Sequence, residues 1–127
     1  QHLLAKNGVA HAKFEVNRMN DAGETALFEA ARQGHTEVVR ILLDNSANVD
    51  KADNEGNTPL TKAVQLSRAD VVEVLVEHGA NVEASVPGRK FTLVHIAAAN
   101  GDAPTLQVLC EALGKERLDR LLHEGTR

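Results

Sequence analysis

The chain has 127 residues, which suits one domain-sized unit, and its net charge of −4 comes from interspersed charges of both signs. This balance leaves no basic footprint for nucleic acid, and no apolar run is long enough for direct membrane insertion. Aromatic residues make up only 2%, so the core must consist of small aliphatic side chains. No signal-peptide pattern is visible. The single Cys110 excludes an internal disulfide and fits an intracellular compartment, cytoplasmic or nuclear.

The first residues match segments that lie further along the chain. Leu3-Leu4 resembles the end of a helix and matches Leu42-Leu43, while Val16-Asn17 matches Val49-Asp50 at a step of 33 residues. The stretch Asn7–Phe14 is longer than a standard connection, so we expect a loop insertion there. The chain is therefore expected to begin within a repeat and to be a piece of a longer array.

The next two segments are copies of each other. Asp21–Leu27 recurs as Asn54–Leu60, and Val38–Leu43 lines up with Val71–Val76, each at a step of 33 residues. A fixed period in this range is typical of a solenoid of stacked units. The function of a solenoid usually lies on an extended surface rather than in a pocket.

The third copy, Thr92–Asp102, is shifted by one residue, since Thr92 lies 34 residues after Thr58. The Asp/Asn-x-x-Gly approach to the threonine is replaced here by 86–91, Val-Pro-Gly-Arg-Lys-Phe. Lys90 falls where the first two copies have glycine, so this tip is expected to make a different turn and to place positive charge near its edge.

Each copy predicts a pair of helices. Thr25, Thr58 and Thr92 are placed to cap the first helix, and Gly34 and Gly101 to end it in a left-handed conformation. Serine takes that glycine position at Ser67, which predicts a less well-formed helix end. In the first copy, Asn45 or Ser46 must take the left-handed conformation, and Asn tolerates it better. The predicted pairs are 26–34 with 36–45, 59–67 with 69–78, and 93–101 with 103–113. A further helix over 116–124 is either a cap or the start of another repeat.

The hexapeptide Thr58–Ala63, TPLTKA, departs at one position from the T-P-L-H-x-A signature. With three copies in register over Asp21–Leu113, the chain resembles the ankyrin-repeat family. The resemblance implies an all-α solenoid of stacked helix-turn-helix units with short β-hairpin finger loops. The predicted division is 1–20, a partial repeat with a loop; 21–53 and 54–87, two repeats; 88–114, a divergent repeat; and 115–127, a C-terminal helix.

The sequence shows no pattern of an active site, a metal site or a cofactor site. Its six histidines have neither i,i+4 pairing nor a companion cysteine cluster. His35 and His95 occupy repeat positions where an imidazole bonds the neighbouring turn. Cys110 falls where Leu43 and Val76 fall, so we expect it to be buried. No catalytic residue, cofactor or metal is therefore predicted.

The resemblance implies that a partner docks in a concave groove formed by the finger tips and the first helices. Phe28, where this family usually has histidine, either packs between the fingers or anchors the partner. Leu66 and Ile96 are apolar on a face that should otherwise be polar, and Arg89 with Lys90 would form a basic edge. The partner-binding residues predicted by position are Glu29, Arg32, Gln33, Glu55, Asn57, Lys62, Gln65, Leu66, Arg89, Lys90, Ile96 and Asn100.

These observations predict a non-catalytic protein–protein interaction module that binds a peptide or protein surface carrying acidic residues. Two alternatives remain: a structural spacer, and an intramolecular regulatory segment of a larger enzyme, channel or signalling protein. Apolar surface around Leu3-Leu4 and around Leu118, Leu121 and Leu122 also predicts weak end-to-end self-association.

Overall fold

The computed structural model describes residues 15–84, 86–88 and 92–124, with side chains up to Lys115. Six helices lie in this part of the chain. Their bounds are α1 Ala26–Gln33, α2 Thr36–Asp44, α3 Pro59–Gln65, α4 Ala69–Glu77, α5 Leu93–Asn100 and α6 Ala103–Glu124. The expectations at Leu3-Leu4, Asn7–Phe14, Arg89, Lys90 and Phe91 fall outside the described residues.

The helices pack as three stacked pairs. Within each pair the first helix contacts the second, and between pairs α1 contacts α3, α3 contacts α5, α2 contacts α4, and α4 contacts α6. The first helices therefore form one layer and the second helices another, which confirms the predicted all-α solenoid. The described residues contain no strand, and none of their helices has the length and apolar character needed to cross a bilayer.

A threonine hydroxyl starts each first helix, as predicted. Oγ1 of Thr25 accepts the backbone N–H of Phe28 at 3.2 Å, and Oγ1 of Thr58 accepts that of Thr61 at 3.1 Å. Thr92 accepts the N–H of His95 at 3.2 Å, and Nδ1 of His95 in turn accepts the N–H of Thr92. These bonds satisfy backbone donors that have no partner inside the helix.

Left-handed residues end the helices. Gly34 and Gly101 have φ of 81° and 68°, as predicted, and Ser67 adopts φ 60° at the equivalent place. In the first pair the preference for Asn45 is wrong, because Ser46 has φ 75° while Asn45 has φ −106°. Asn45 keeps its place as the helix cap because its side-chain Nδ2 donates to the carbonyl of Ile41 at 2.8 Å.

Replacing Ser67 with glycine is expected to stabilise the protein by about 0.5–1 kcal/mol. A left-handed conformation costs a residue with a Cβ about 1–2 kcal/mol, and the greater freedom of glycine in the unfolded chain offsets part of that gain. Urea denaturation of Ser67→Gly measures the change. Ser85→Gly is not a suitable control because residue 85 is not described, so Ser46→Gly serves as the parallel case with the same expected direction. A loss of stability in both variants would contradict this account.

The core lies between the two helix layers. Leu27, Leu60 and Leu75 are fully buried. Leu42 occupies the same repeat position as Leu75 but is only partly buried, which corrects the expectation that both are equally buried. The reason is that α4 packs between α2 and α6, whereas α2 has a second-layer neighbour on one side only in the described part of the chain.

The last helix differs from the prediction in length and in the exposure of its cysteine. α6 runs without a break from Ala103 to Glu124, where the sequence predicted one helix to Leu113 and another from Glu116. Cys110 is exposed rather than buried. Its repeat position faces away from the preceding pair, since the equivalent Leu43 and Val76 are themselves only partly buried. The side chains of Leu118, Leu121 and Leu122 lie outside the description.

Candidate functional site

Two finger loops connect the helix pairs, the first at 20–24 and the second at 53–57. In the first finger, Oδ1 of Asn20 accepts the backbone N–H of Glu24 at 2.9 Å, and in the second, Oδ1 of Asp53 accepts that of Asn57 at 2.9 Å. Each finger is also closed by one backbone bond, from Asn20 N to Glu24 O at 3.0 Å and from Asp53 N to Asn57 O at 2.9 Å. A single short closure fixes the tip without forming a strand ladder.

The second finger is bonded directly onto the first. The backbone N–H of Asn54 donates to the carbonyl of Ala22, and its side-chain Nδ2 donates to the carbonyl of Asp21, both at 2.9 Å. Gly23 makes this approach possible, because a Cβ at that position would lie 2.4 Å from Oδ1 of Asn54. The fingers therefore form a fixed row along one edge of the solenoid.

Two hollows lie between the fingers and the first helices. The first hollow, of about 410 Å³, is lined by Ala22, Glu24, Arg32, Asp53, Asn54, Glu55 and Lys62. The second hollow, of about 420 Å³, is lined by Glu55, Asn57, Lys62, Gln65, Val86, Pro87 and Ile96. Glu55 and Lys62 line both hollows, so together they form one continuous groove. Five predicted residues line the second hollow, and Arg32 lines the first; the five are Glu55, Asn57, Lys62, Gln65 and Ile96.

Arg32 lies in the first hollow with its charge already paired. Its guanidinium contacts the carboxylate of Glu24 at 3.0 Å and that of Glu29, and it lies over the ring of Phe28 at 5.8 Å. A hydrogen bond from Asn20 lowers the pKa of the Glu24 carboxyl, and Arg32 lowers it further. The hydrogen bond to Glu24 raises the pKa of Arg32. This arrangement stays ionised at neutral pH and fixes Arg32 in place.

Phe28 is only 1% exposed. Its interpretation as an aromatic anchor for a partner is therefore wrong, and the alternative, packing between the fingers, is confirmed. The sequence left both open because a lone aromatic residue on a short helix does not show which side of the layer it faces.

Lys62 has an unpaired ammonium in the described part of the chain. It is half-buried, and no carboxylate of the described residues lies within 4.0 Å of it. Gln65, one helical turn further on, is also half-buried and lines the second hollow beside it. The groove thus contains one cation that is committed to internal partners and one that is not.

The apolar wall of the second hollow includes two residues that the sequence analysis did not assign to the site. Val86 is buried and Pro87 half-buried, opposite the half-buried Ile96. Pro87 packs against the second finger, where a Cβ on Gly56 would lie 3.2 Å from its Cγ. The signal for them was the Pro-Gly pair at the third tip, which shows that the chain turns there but not toward which neighbour.

The remaining predicted residues lie outside both hollows. Gln33 donates to the carboxylate of Glu29 at 3.2 Å, on the exposed face of α1. Asn100 uses its amide nitrogen to bond the carbonyls of Val64 and Gln65, both at 3.2 Å, so it joins two repeats. Leu66 is 43% exposed at the end of α3.

The histidines divide between capping and exposure. Nδ1 of His95 bonds the turn that starts its own helix, at 2.8 Å from Oγ1 of Thr92, in line with the expectation. His35 lies at the start of α2 without a side-chain capping bond, so the same expectation fails there. Among the described residues, no group of three or more His, Cys, Asp and Glu side chains has the arrangement of a metal site.

Comparison with known families identifies the repeat. A family model described as ankyrin repeats in three copies matches residues 1–86, and one described as ankyrin repeats in many copies matches residues 66–110. A search of curated proteins found no match. Ankyrin repeats generally act as protein–protein interaction modules and are typically non-catalytic. The matches span all three stacked pairs, and the chain belongs to the ankyrin-repeat family.

Proposed function

We propose that this chain is a non-catalytic module that binds a partner protein or peptide in the groove formed by the two hollows. The observation that carries the proposal is their continuity. Because Glu55 and Lys62 line both, one partner segment can contact the first finger, the second finger and the segment of Val86 and Pro87 together. Contact with several repeats supplies the area that specific binding needs, which a single repeat does not offer.

The chemistry of the groove favours a partner that carries acidic groups beside an apolar residue. Lys62 offers a positive charge that the described residues do not neutralise, and Ile96 with Pro87 offers a dry wall. Arg89 and Lys90 stay predicted contributors to a basic edge. The intracellular location, which rests on the single Cys110, also stays a prediction.

The groove is tested by comparing the proteins recovered from a cell extract by the wild type and by three variants. Ile96→Asp places a charge on the apolar wall and is expected to reduce recovery of a specific partner about tenfold or more, the usual effect at the centre of an interface. Lys62→Glu and the pair Arg89→Glu with Lys90→Glu are expected to slow association and to remove its salt dependence.

Lys115→Glu on α6 is the matched control, since it makes the same charge change at an exposed residue far from the fingers. All variants are first checked for an unchanged melting temperature, because exposed charges contribute little to folding. Equal recovery of the same partners by wild type, Ile96→Asp and Lys62→Glu would contradict the groove assignment and leave the spacer and the intramolecular regulatory segment as the better readings.

A further inference from the structure

The two hollows differ in what their cations can still bind. In the first hollow, Glu24 and Glu29 already pair with Arg32. In the second hollow, Lys62 is half-buried and lies beyond 4.0 Å from every described carboxylate. A partly desolvated ammonium with no internal partner attracts a carboxylate more strongly than one that is already paired, because a new pair replaces lost solvation. The second hollow is therefore the place in the groove where an acidic side chain gains most.

The walls of the second hollow change from polar to apolar along its length. Lys62 and Gln65 provide hydrogen-bond donors on α3, while Ile96 on α5 and the Val86-Pro87 segment provide hydrocarbon. The contact of Pro87 with the second finger holds this apolar wall in position. A ligand that fits both walls must therefore carry an anionic group and an apolar group at different points along its length.

We propose, building on the groove function above, that the second hollow binds an extended segment of a partner protein with the pattern acidic–any–aliphatic. Alternate side chains of an extended chain point to the same side, about 6–7 Å apart. The acidic side chain would pair with Lys62 and accept a bond from Gln65, and the aliphatic side chain would pack on Ile96 and Pro87. A volume of about 420 Å³ lies in the range of peptide- and ligand-sized pockets.

Glu55 makes the pattern more specific. It lines both hollows, is exposed, and carries a negative charge close to the site of the proposed carboxylate. A second acidic residue next to the first would meet this charge and be repelled. The occupant is therefore a segment with one acidic residue at this point rather than a continuous acidic tract.

The test begins with a random peptide library displayed on phage and selected against the immobilised chain. The selected pool is expected to be enriched in an acidic residue two positions before or after an aliphatic one. Synthetic peptides from the pool are then titrated by fluorescence anisotropy against variants. Lys62→Glu and Ile96→Asp should each weaken binding about tenfold or more, whereas Lys115→Glu should leave it unchanged. Exchanging the acidic residue of the peptide for lysine should restore binding to Lys62→Glu.

Ala22→Arg separates this inference from the function on which it rests. Ala22 is exposed and lines only the first hollow, so the variant blocks that part of the groove. Selected peptides that lack the pattern, or that lose binding to Ala22→Arg but not to Lys62→Glu, would overturn the inference and keep the groove function. Peptides insensitive to Ala22→Arg, Lys62→Glu and Ile96→Asp alike, or a pool no richer than that from bare support, would overturn both.

Discussion

Replacing Leu75 with alanine is expected to lower the free energy of unfolding by about 3–5 kcal/mol, the upper part of the range for fully buried leucines. Leu75 is 0% exposed on α4, between α2 and α6. The same change at Leu42 is expected to cost only about 1–2 kcal/mol, because its side chain is partly exposed and leaves a smaller cavity. Urea denaturation followed by circular dichroism measures both.

Leu66→Ala is the control, since that leucine is 43% exposed and its truncation should stay within about 0.5 kcal/mol. Equal losses at Leu42 and Leu75 would contradict the expected order and would show that the open side of α2 is covered in solution. In a solenoid each repeat contacts only its neighbours, so the loss at Leu75 is a large part of the total stability.

The period of the sequence was enough to predict the helix pairs and their caps. These features depend on residues close together in the chain, such as Thr58, whose hydroxyl reaches only three residues ahead. Repetition then carries the same local rule to Thr25 and Thr92. The stacking of the pairs follows because a single pair cannot bury its own apolar face.

The sequence was less informative where a residue bonds outside its own repeat. Asn100 reaches back to the carbonyls of Val64 and Gln65, and Nε of Arg68 reaches the carbonyl of Arg32 at 3.1 Å. A repeat alignment places such residues on the surface but does not show that their polar groups already have partners. Asn100 was predicted to bind a partner for this reason, although its amide joins two repeats of the chain itself.

The fate of Arg32 and Lys62 has the same physical cause. Both are cations on the face of a first helix, and the alignment gave them equal weight. The structure separates them because Glu24 and Glu29 lie beside Arg32, while the described residues place no carboxylate within 4.0 Å of Lys62. The length of α6 was missed because Gly114 and the polar residues after it resemble a helix end, yet glycine inside a helix costs only about 1 kcal/mol.

Replacing Gly23 with alanine is expected to destabilise the protein by about 2–4 kcal/mol and to move the two fingers apart. Gly23 has φ 79°, which strains any residue with a Cβ. The new methyl group would also lie 2.4 Å from Oδ1 and 2.8 Å from the backbone N of Asn54, and overpacking of this kind costs about 1–3 kcal/mol. Urea denaturation measures the loss, and peptide titration measures its effect on the groove.

Gly79→Ala is the matched control, because Gly79 has φ 88° but a Cβ there would meet nothing within 4 Å. It should cost only the strain of the left-handed conformation, about 1 kcal/mol. In an Asn54→Ala background, Gly23→Ala should cost less than in the wild type but more than Gly79→Ala, since the clash with the side chain is gone while that with the backbone N remains. Equal costs for Gly23→Ala and Gly79→Ala would mean that the fingers do not touch in solution. The groove would then lose the fixed spacing between Glu24 and Glu55 on which its continuity depends.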